Sequence, residues 1–188
     1  MIKYEDLYNE VKNNLSEKRF NHSKGVVDRA LEYADIYNVD KDKVKLTAIA
    51  HDNAKELSNE EVDKYIKKYN IKLDDIEKNN KNLIHSIIGA YICRDKYNFD
   101  DDMMNAIRYH TTGRANMSML EKIIYLADAT EKSRGYSDMD WYVNIIKEDI
   151  DRGMVEVSKW VIESLLKNNK QIHNSSIECY NYYIKEIK

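Results

Sequence analysis

Residues 122–132 read KIIYLADATEK. At about 100° per residue, Ile123, Ile124, Leu126, Ala127 and Ala129 cover most of the circumference of a helix through this stretch. A helix that is apolar nearly all round runs through the middle of a bundle, so the fold is expected to form around this segment. Asp128 is then carried into the interior, where an unpaired carboxylate is costly and needs a cation or several donors. Two explanations stand open for it: a buried ion pair or cap, with Arg134 or a lysine as partner, or a metal ligand.

Outward from there, helical periodicity continues almost throughout, and strand-like alternation is not sustained anywhere. The pattern predicts helices over 3–15, 17–37, 41–56, 59–69, 81–97, 101–112, 118–132, 139–151, 153–168 and 175–187. Ser58 with Glu61 and Ser118 with Glu121 have capping-box spacing, and the run Asp100–Asp102 puts negative charge at a helix N-terminus. Gly113 and Gly135 fall where turns follow helices. The chain has no proline, where average usage predicts roughly nine, and only five glycines. Helices joined by short turns suit that composition. No repeat, low-complexity block or linker interrupts the 188 residues, so the expectation is an all-α, single-domain helical bundle over 1–188.

The totals exclude several classes of function. A hydrophobic fraction of 43% with 34% charged residues describes a globular chain, neither disordered nor membrane-embedded, and no apolar run approaches a membrane span. The net charge is −3 with both signs interspersed. That leaves no basic stripe to follow a phosphate backbone, so neither DNA nor RNA is an expected partner. Cys93 and Cys179 stand far apart and outside any C-x-x-C pair, which suits free thiols in a reducing compartment. The opening MIKYEDLYNEV has no apolar h-region, and a cytoplasmic location is expected. A homodimer stays open, since no exposed apolar stripe marks an interface.

Chemistry-bearing residues gather in TAIAHDNAKEL, residues 47–57. On the predicted helix 41–56, Ala48 lies one turn below His51 and Asp52, and Lys55 one turn above. The face so formed carries an imidazole, a carboxylate and an ammonium, while Leu46, Ile49, Ala50 and Leu57 hold the helix in the core. By itself this is an ordinary hydrogen-bonded edge. The five histidines are His22, His51, His85, His110 and His173, the first four in RFNHSKG, IAHDNAK, LIHSIIGA and IRYHTTGR, in or at the ends of predicted helices. Singly, each reads as a packed or surface histidine. Together with two interior-leaning aspartates they are hard to explain as packing. Imidazole plus carboxylate is the donor set of Fe, Mn, Co, Ni and Zn rather than of Mg or Ca.

The order His22, His51-Asp52, Asp128 resembles the H…HD…D signature of the HD phosphohydrolase superfamily. The block AIRYHTTGRANMSMLEKIIYLADATEKSRGY (106–136) is similar to its YqeK-type branch, whose members are symmetrical diadenosine tetraphosphate hydrolases. HDNAKEL, HSIIGAYI and the tail IHNSSIECYNYYI (172–184) carry the likeness over nearly the whole chain. One departure is visible: where the branch has E-P-x-R, this chain reads EKSR, keeping Arg134 at its offset without the proline. The resemblance implies a helical HD fold that brings His22, His51, Asp52 and Asp128 onto one metal. Iron is the expected ion, Mn, Co, Ni and Zn are the other candidates, and a second ion near His85 and His110 is the variant seen in related HD enzymes. The implied substrate is a dinucleoside polyphosphate, diadenosine tetraphosphate, cut to two ADP.

In that reading His51, Asp52 and Lys55 are catalytic. Lys55, His85, His110, Thr111 and Arg134 meet phosphates, Thr111 and its neighbour Thr112 through hydroxyls and Arg134 through a two-pronged guanidinium. Arg19, one turn before His22, joins them, though a surface ion pair explains it as well. His173 and the tail read equally as a solvent-facing turn or a cover for a nucleobase, and Tyr109 and Tyr136 flank the motif as stacking rings. The competing readings are an HD phosphohydrolase acting on nucleoside mono- or triphosphates or (p)ppGpp, a nucleotide-binding regulator with little turnover, and a helix-bundle scaffold whose histidines are packing.

Overall fold

Helix starts in this chain are marked by side chains that accept backbone amides, and the structure, a computed structural model describing residues 2–135 and 138–187, follows those marks. Among the described residues every regular element is helical. In chain order these are α1 (Tyr4–Asn14), α2 (Glu17–Tyr37), α3 (Lys41–Ala50), α4 (Asn59–Tyr69), α5 (Asp75–Lys78), α6 (Lys81–Tyr97), α7 (Asp101–Tyr109), α8 (Met119–Thr130), a 3-10 turn (Lys132–Arg134), α9 (Met139–Glu148), α10 (Ile150–Lys167) and α11 (Asn174–Glu186).

The capping box at Ser58 and Glu61 is complete. At α8 only half of the expected box forms. Ser118 accepts the Glu121 amide at 3.1 Å, but the Glu121 carboxylate turns away to Arg114 at 2.7 Å. Asp149 accepts the amides of Asp151 and Arg152, which starts α10 three residues earlier than its periodicity predicts. The four-residue α5 escaped prediction, because a single turn carries no periodicity. Its signal was Asp74 with Glu77, a second complete capping box. At the other ends, Asn38, Asn70 and Asn98 close α2, α4 and α6 with φ of 53°, 49° and 55°. Asparagine tolerates the left-handed region, which is how a chain so poor in glycine terminates its helices.

The bundle is assembled on α8, against which α2, α3, α7, α9 and α10 all pack. Ile123, Ile124 and Leu126 are fully buried there, together on the order of 5–9 kcal/mol of apolar burial before entropy is counted. A smaller apolar cluster of Ala54, Ile71, Ile84, Ile87 and Ile88 joins α4 to α6. Cys93 and Cys179 are free and buried. No helix among the described residues is long and apolar enough to cross a membrane.

Candidate metal centre and active site

Two predicted helices stop early, and for the same reason. Helix α3 ends at Ala50 instead of reaching 56, and α7 ends at Tyr109 instead of reaching 112. At the first break His51 Nδ1 lies 2.7 Å from the Ala48 carbonyl, and at the second His110 Nδ1 lies 2.7 Å from the Ile107 carbonyl. Each imidazole takes a carbonyl that the next helical amide would have used. After His51 the chain continues in tight turns, Asn53 N–H donating to Ala50 O at 3.0 Å and Lys55 N–H to Asp52 O at 2.9 Å. The face expected on a continuous helix is therefore replaced by a turn in which Lys55 sits over Asp52, Nζ 4.0 Å from Oδ1. A carbonyl only accepts, so in both histidines Nδ1 carries the proton and the Nε2 lone pair is left facing inward.

Those lone pairs meet two carboxylates. His22, on α2, donates from Nδ1 to Glu131 Oε1 at 2.9 Å and holds Nε2 3.0 Å from Asp128 Oδ1. His51 Nε2 is 3.8 Å from the same oxygen and 3.5 Å from Asp52 Oδ2, itself 3.7 Å from His22 Nε2. The other oxygen of Asp52 faces away, Oδ1 lying 2.9 Å from His85 Nε2 and 3.6 Å from His110 Nε2. Donor atoms of His22, His51 and Asp128 fall within 4.8 Å of one another, as do those of His51, Asp52 and His110. Buried Nε2 of His22 and of His51 find no hydrogen-bond partner among the described residues. Orphaned buried lone pairs beside carboxylates are what a cation satisfies. Helices α3, α7 and α8 all bring their C-terminal, negative ends here, which favours a cation further. The structure thus brings together His22, His51, Asp52 and Asp128 as expected, and the donor set fits a transition metal.

Comparison with known proteins gives the family. The HD domain pattern matches residues 19–133. The chain belongs to the HD domain family. A protein of Halalkalibacterium halodurans named symmetrical bis(5'-nucleosyl)-tetraphosphatase is 36% identical over 95% of each chain, and one of Bacillus subtilis with the same name is 32% identical over 93% of this chain and 94% of its own. In three dimensions, a crystal structure from Clostridium acetobutylicum, described as that of a predicted HD superfamily hydrolase involved in NAD metabolism, matches with a TM-score of 0.93 at 35% identity over 99% of both chains. Membership of the HD family implies a divalent metal, and the central His and Asp groups of this chain can hold one.

Around the centre of this HD domain stand the residues expected on phosphate. Arg19 NH1 is 2.9 Å from Asp52 Oδ2, so the expected ion pair forms, with a carboxylate of the central cluster as its partner. Arg134 donates from Nε to the Asp128 carbonyl at 2.9 Å and pairs through NH2 with Asp128 Oδ1. Both explanations of Asp128 therefore converge on one oxygen, which faces Arg134 as well as His22 and His51. Lys55 Nζ lies 3.4 Å from both ring nitrogens of His85, and Thr111 Oγ1 lies 3.3 Å from His110 Nε2. Tyr109 carries the guanidinium groups of Arg108 and Arg114 over its ring, at 5.2 and 5.3 Å. His173 pairs instead with Asp74 at 2.9 Å. Tyr136 lies outside the described residues.

Electrostatics keep His51, His85, Asp52 and Asp128 in binding form, whereas at His22 burial is outweighed by Asp128 and Glu131, which raise the ring, so a cation at Nε2 binds there in exchange for a proton. Burial pushes His51 and His85 down to about 4 against the opposing pull of the carboxylates, so both rings are neutral at neutral pH. Burial alone would raise Asp52, but His51, His110 and His85 more than offset it and hold the carboxyl well below its usual range. Asp128 is likewise raised by burial and lowered further by His22 and Arg134. Burial lowers the Lys55 ammonium despite the two nearby aspartates.

Sequence reasoning missed Glu131 as a functional residue, although it opens the EKSR segment. The residue is 1% exposed, accepts the Ser133 amide at 2.7 Å and the Ser133 hydroxyl, and fixes the His22 ring through Nδ1. A ligand histidine held by a carboxylate on its far nitrogen is oriented and made more basic. Gly25 makes the room: a Cβ there would stand 2.5 Å from Glu131 Oε2.

Proposed function

We propose that this HD domain hydrolyses diadenosine tetraphosphate symmetrically to two ADP in the cytoplasm, with a resident metal ion held by His22, His51, Asp52 and Asp128. The observation that carries the reading is the pair of buried Nε2 atoms of His22 and His51 converging on the carboxylates of Asp52 and Asp128, that of His51 with no hydrogen-bond partner among the described residues, inside a ring of Arg19, Lys55 and Arg134. The substrate comes from the shared name of the relatives, and the ring of cations suits a chain of phosphates. Iron is the ion proposed, and Mn, Co, Ni and Zn suit the same donors.

When bound, such an ion supplies Lewis acidity and a water that is nucleophilic near neutral pH. The protein's own groups do the rest. Arg19 and Arg134 hold the phosphates against the centre, and Lys55, placed between Asp52 and His85, donates to phosphoryl oxygens where charge builds. Thr111 adds a hydroxyl donor on the opposite side, beside the His110 ring. Water adds to one inner phosphorus while the bridging oxygen leaves with the other ADP and takes up the proton. Symmetric cleavage requires the central anhydride to lie at the cluster of Arg19, Lys55 and Arg134, with a nucleoside diphosphate half on each side.

A two-ion arrangement is favoured by one observation, the second Asp52 oxygen facing His85 and His110. The test is elemental analysis of the untreated protein beside a product-resolved assay. Near-stoichiometric transition metal and ADP as sole product are expected, and twice that metal content selects the two-ion form. ATP and AMP in equal amounts would overturn symmetric cleavage, and absence of metal would overturn the site.

A further inference from the structure

In a capping box the N-cap hydroxyl accepts the amide of the residue at N3, and a glutamate or glutamine at N3 reaches back to the N-cap amide. Helix α4 closes itself this way, through Ser58 and Glu61. Helix α2 is closed differently. Its N-cap is Ser16, whose hydroxyl accepts the N3 amide at 3.4 Å, but the residue at N3 is Arg19. The missing carboxylate comes from Glu56, 40 residues further along the chain: Oε2 accepts the Ser16 amide at 2.6 Å and Oε1 accepts the Ser16 hydroxyl at 2.7 Å. Both oxygens are engaged, and these two bonds hold the Glu56 carboxyl below its usual range.

Splitting the box between two segments leaves N3 of α2 free to be an arginine, and that arginine faces the central cluster. Arg19 NH1 lies 2.9 Å from Asp52 Oδ2. Asp52 and Glu56 belong to the same stretch of tight turns, where the Lys55 amide donates to the Asp52 carbonyl at 2.9 Å. Two residues of that stretch therefore grip two residues of the first turn of α2, Glu56 holding Ser16 and Asp52 holding Arg19. The Arg19 side chain is long, flexible and 31% exposed, and one partly exposed ion pair does little to fix it. Its reach is set by the backbone it starts from. Glu56 ties that backbone to the turn that carries Asp52 and Lys55.

We propose that Glu56 is a positioning residue, completing the capping box of α2 from the turn after His51-Asp52 and so setting Arg19 where its guanidinium meets the phosphates of the substrate. The inference deepens the reading of the chain as a dinucleoside polyphosphate hydrolase and rests on it. Glu56 acts through Ser16 and Arg19 and does not itself meet the phosphates. By charge alone a carboxylate here repels an anion, so its removal would tighten binding. The capping role predicts the opposite sign.

The test is calorimetric titration of ADP into the metal-loaded protein, with kcat for diadenosine tetraphosphate measured beside it. Glu56→Ala should weaken ADP about fivefold and leave kcat within about twofold, because a contact made alike in ground and transition states moves binding and not turnover. Glu56→Gln should bind ADP within about twofold of wild type, since its amide oxygen accepts the Ser16 amide and its NH2 donates to the Ser16 hydroxyl. Arg19→Ala should weaken ADP about tenfold, and adding Glu56→Ala to it should change ADP by less than about twofold. Tighter or unchanged ADP binding in either alanine variant, or the same fivefold loss with Arg19 present and absent, would overturn the proposal. So would a fall in kcat at unchanged ADP affinity, because Glu56 would then act through its neighbour Lys55. Wild-type protein that binds no ADP would overturn the hydrolase reading and this inference with it. ATP and AMP as products would overturn symmetric cleavage alone and leave the ADP ratios intact, so the failures are distinguishable.

Discussion

Among the described residues, two clusters bring histidine against carboxylates, and they are built in opposite senses. In the central cluster His51 and His110 direct Nδ1 at backbone carbonyls and His22 directs it at Glu131, so the protons point outward and the Nε2 lone pairs point in. In the peripheral cluster His173 Nδ1 accepts the Ser175 amide at 3.2 Å, so Nε2 holds the proton and gives it to Asp74 at 2.9 Å. Glu77 of that cluster is already taken by Arg108 at 2.6 Å. Donor atoms lie within 4.8 Å of one another in both. Residue type and proximity are thus alike in the two places, and the direction in which each imidazole points its proton separates a metal site from an ion pair.

The largest effect that tests the contrast is at Asp52, whose two oxygens face both halves of the central cluster. Asp52→Ala should lower turnover on the order of 10³-fold or more and empty the site of metal, while far-ultraviolet circular dichroism shows the helices retained. An Asp52→Ala protein that keeps its metal would place the ion elsewhere. Acid is the second lever, and it acts on the metal-free protein. His51 and His85 are held down to about 4 by burial, against about 6.5 in an unfolded chain. Between those values the unfolded state binds more protons, so stability is fully present above about pH 6.5 and is lost as pH falls toward 4. Each ring contributes roughly 3 kcal/mol at most to that loss. Denaturant unfolding of the metal-free protein at a series of pH values checks it, and a flat profile from pH 7 to 4.5 would contradict the buried neutral rings.

How much of this was legible in the sequence follows the same line. The central helix 119–130 was readable because its apolar residues encircle it, and the four residues of the H…HD…D order were readable because their types and order are distinctive. The ends of α3 and α7 were not. No glycine or proline breaks HDNAKE, and the carbonyl that stops each helix is captured by a side chain whose direction no periodicity encodes. Glu131 was hidden for a related reason. Its acceptance of the His22 proton depends on α2 and the segment after α8 lying together, a contact 109 residues apart in the chain. His173 looked like a member of the histidine set by type, and only its hydrogen bonds exclude it.

Glu131 gives an intermediate test, because it fixes the proton of His22. Glu131→Ala should weaken metal binding about 10- to 100-fold, the usual effect of removing a group that orients a ligand histidine. Glu131→Gln should fall between, since an amide oxygen still accepts from Nδ1 but carries no charge. Gly25→Ala should weaken metal binding by its own route, because the added methyl displaces the Glu131 carboxylate that His22 and Ser133 hold in place. The pair is expected to be non-additive: with Glu131 removed, the methyl at 25 has nothing left to displace. Metal affinity by competition with a chromophoric chelator measures all three. Additive losses in Gly25→Ala/Glu131→Ala would mean that Gly25 acts on something other than the carboxylate.

The smallest expected effect lies in the peripheral cluster. Asp74 accepts the amides of Ile76 and Glu77, both at 2.8 Å, as well as the His173 proton. Asp74→Ala removes the cap of α5 and should cost about 1 kcal/mol, seen as a fall of roughly 2–4 °C in the thermal midpoint of a chain this size. Asp74→Asn caps nearly as well and should recover most of it. Metal content should be the same in both variants as in the wild type, because His173 presents a proton, not a lone pair, to this carboxylate. A peripheral carboxylate whose loss strips metal from the protein would show that proton direction is not what separates the two clusters.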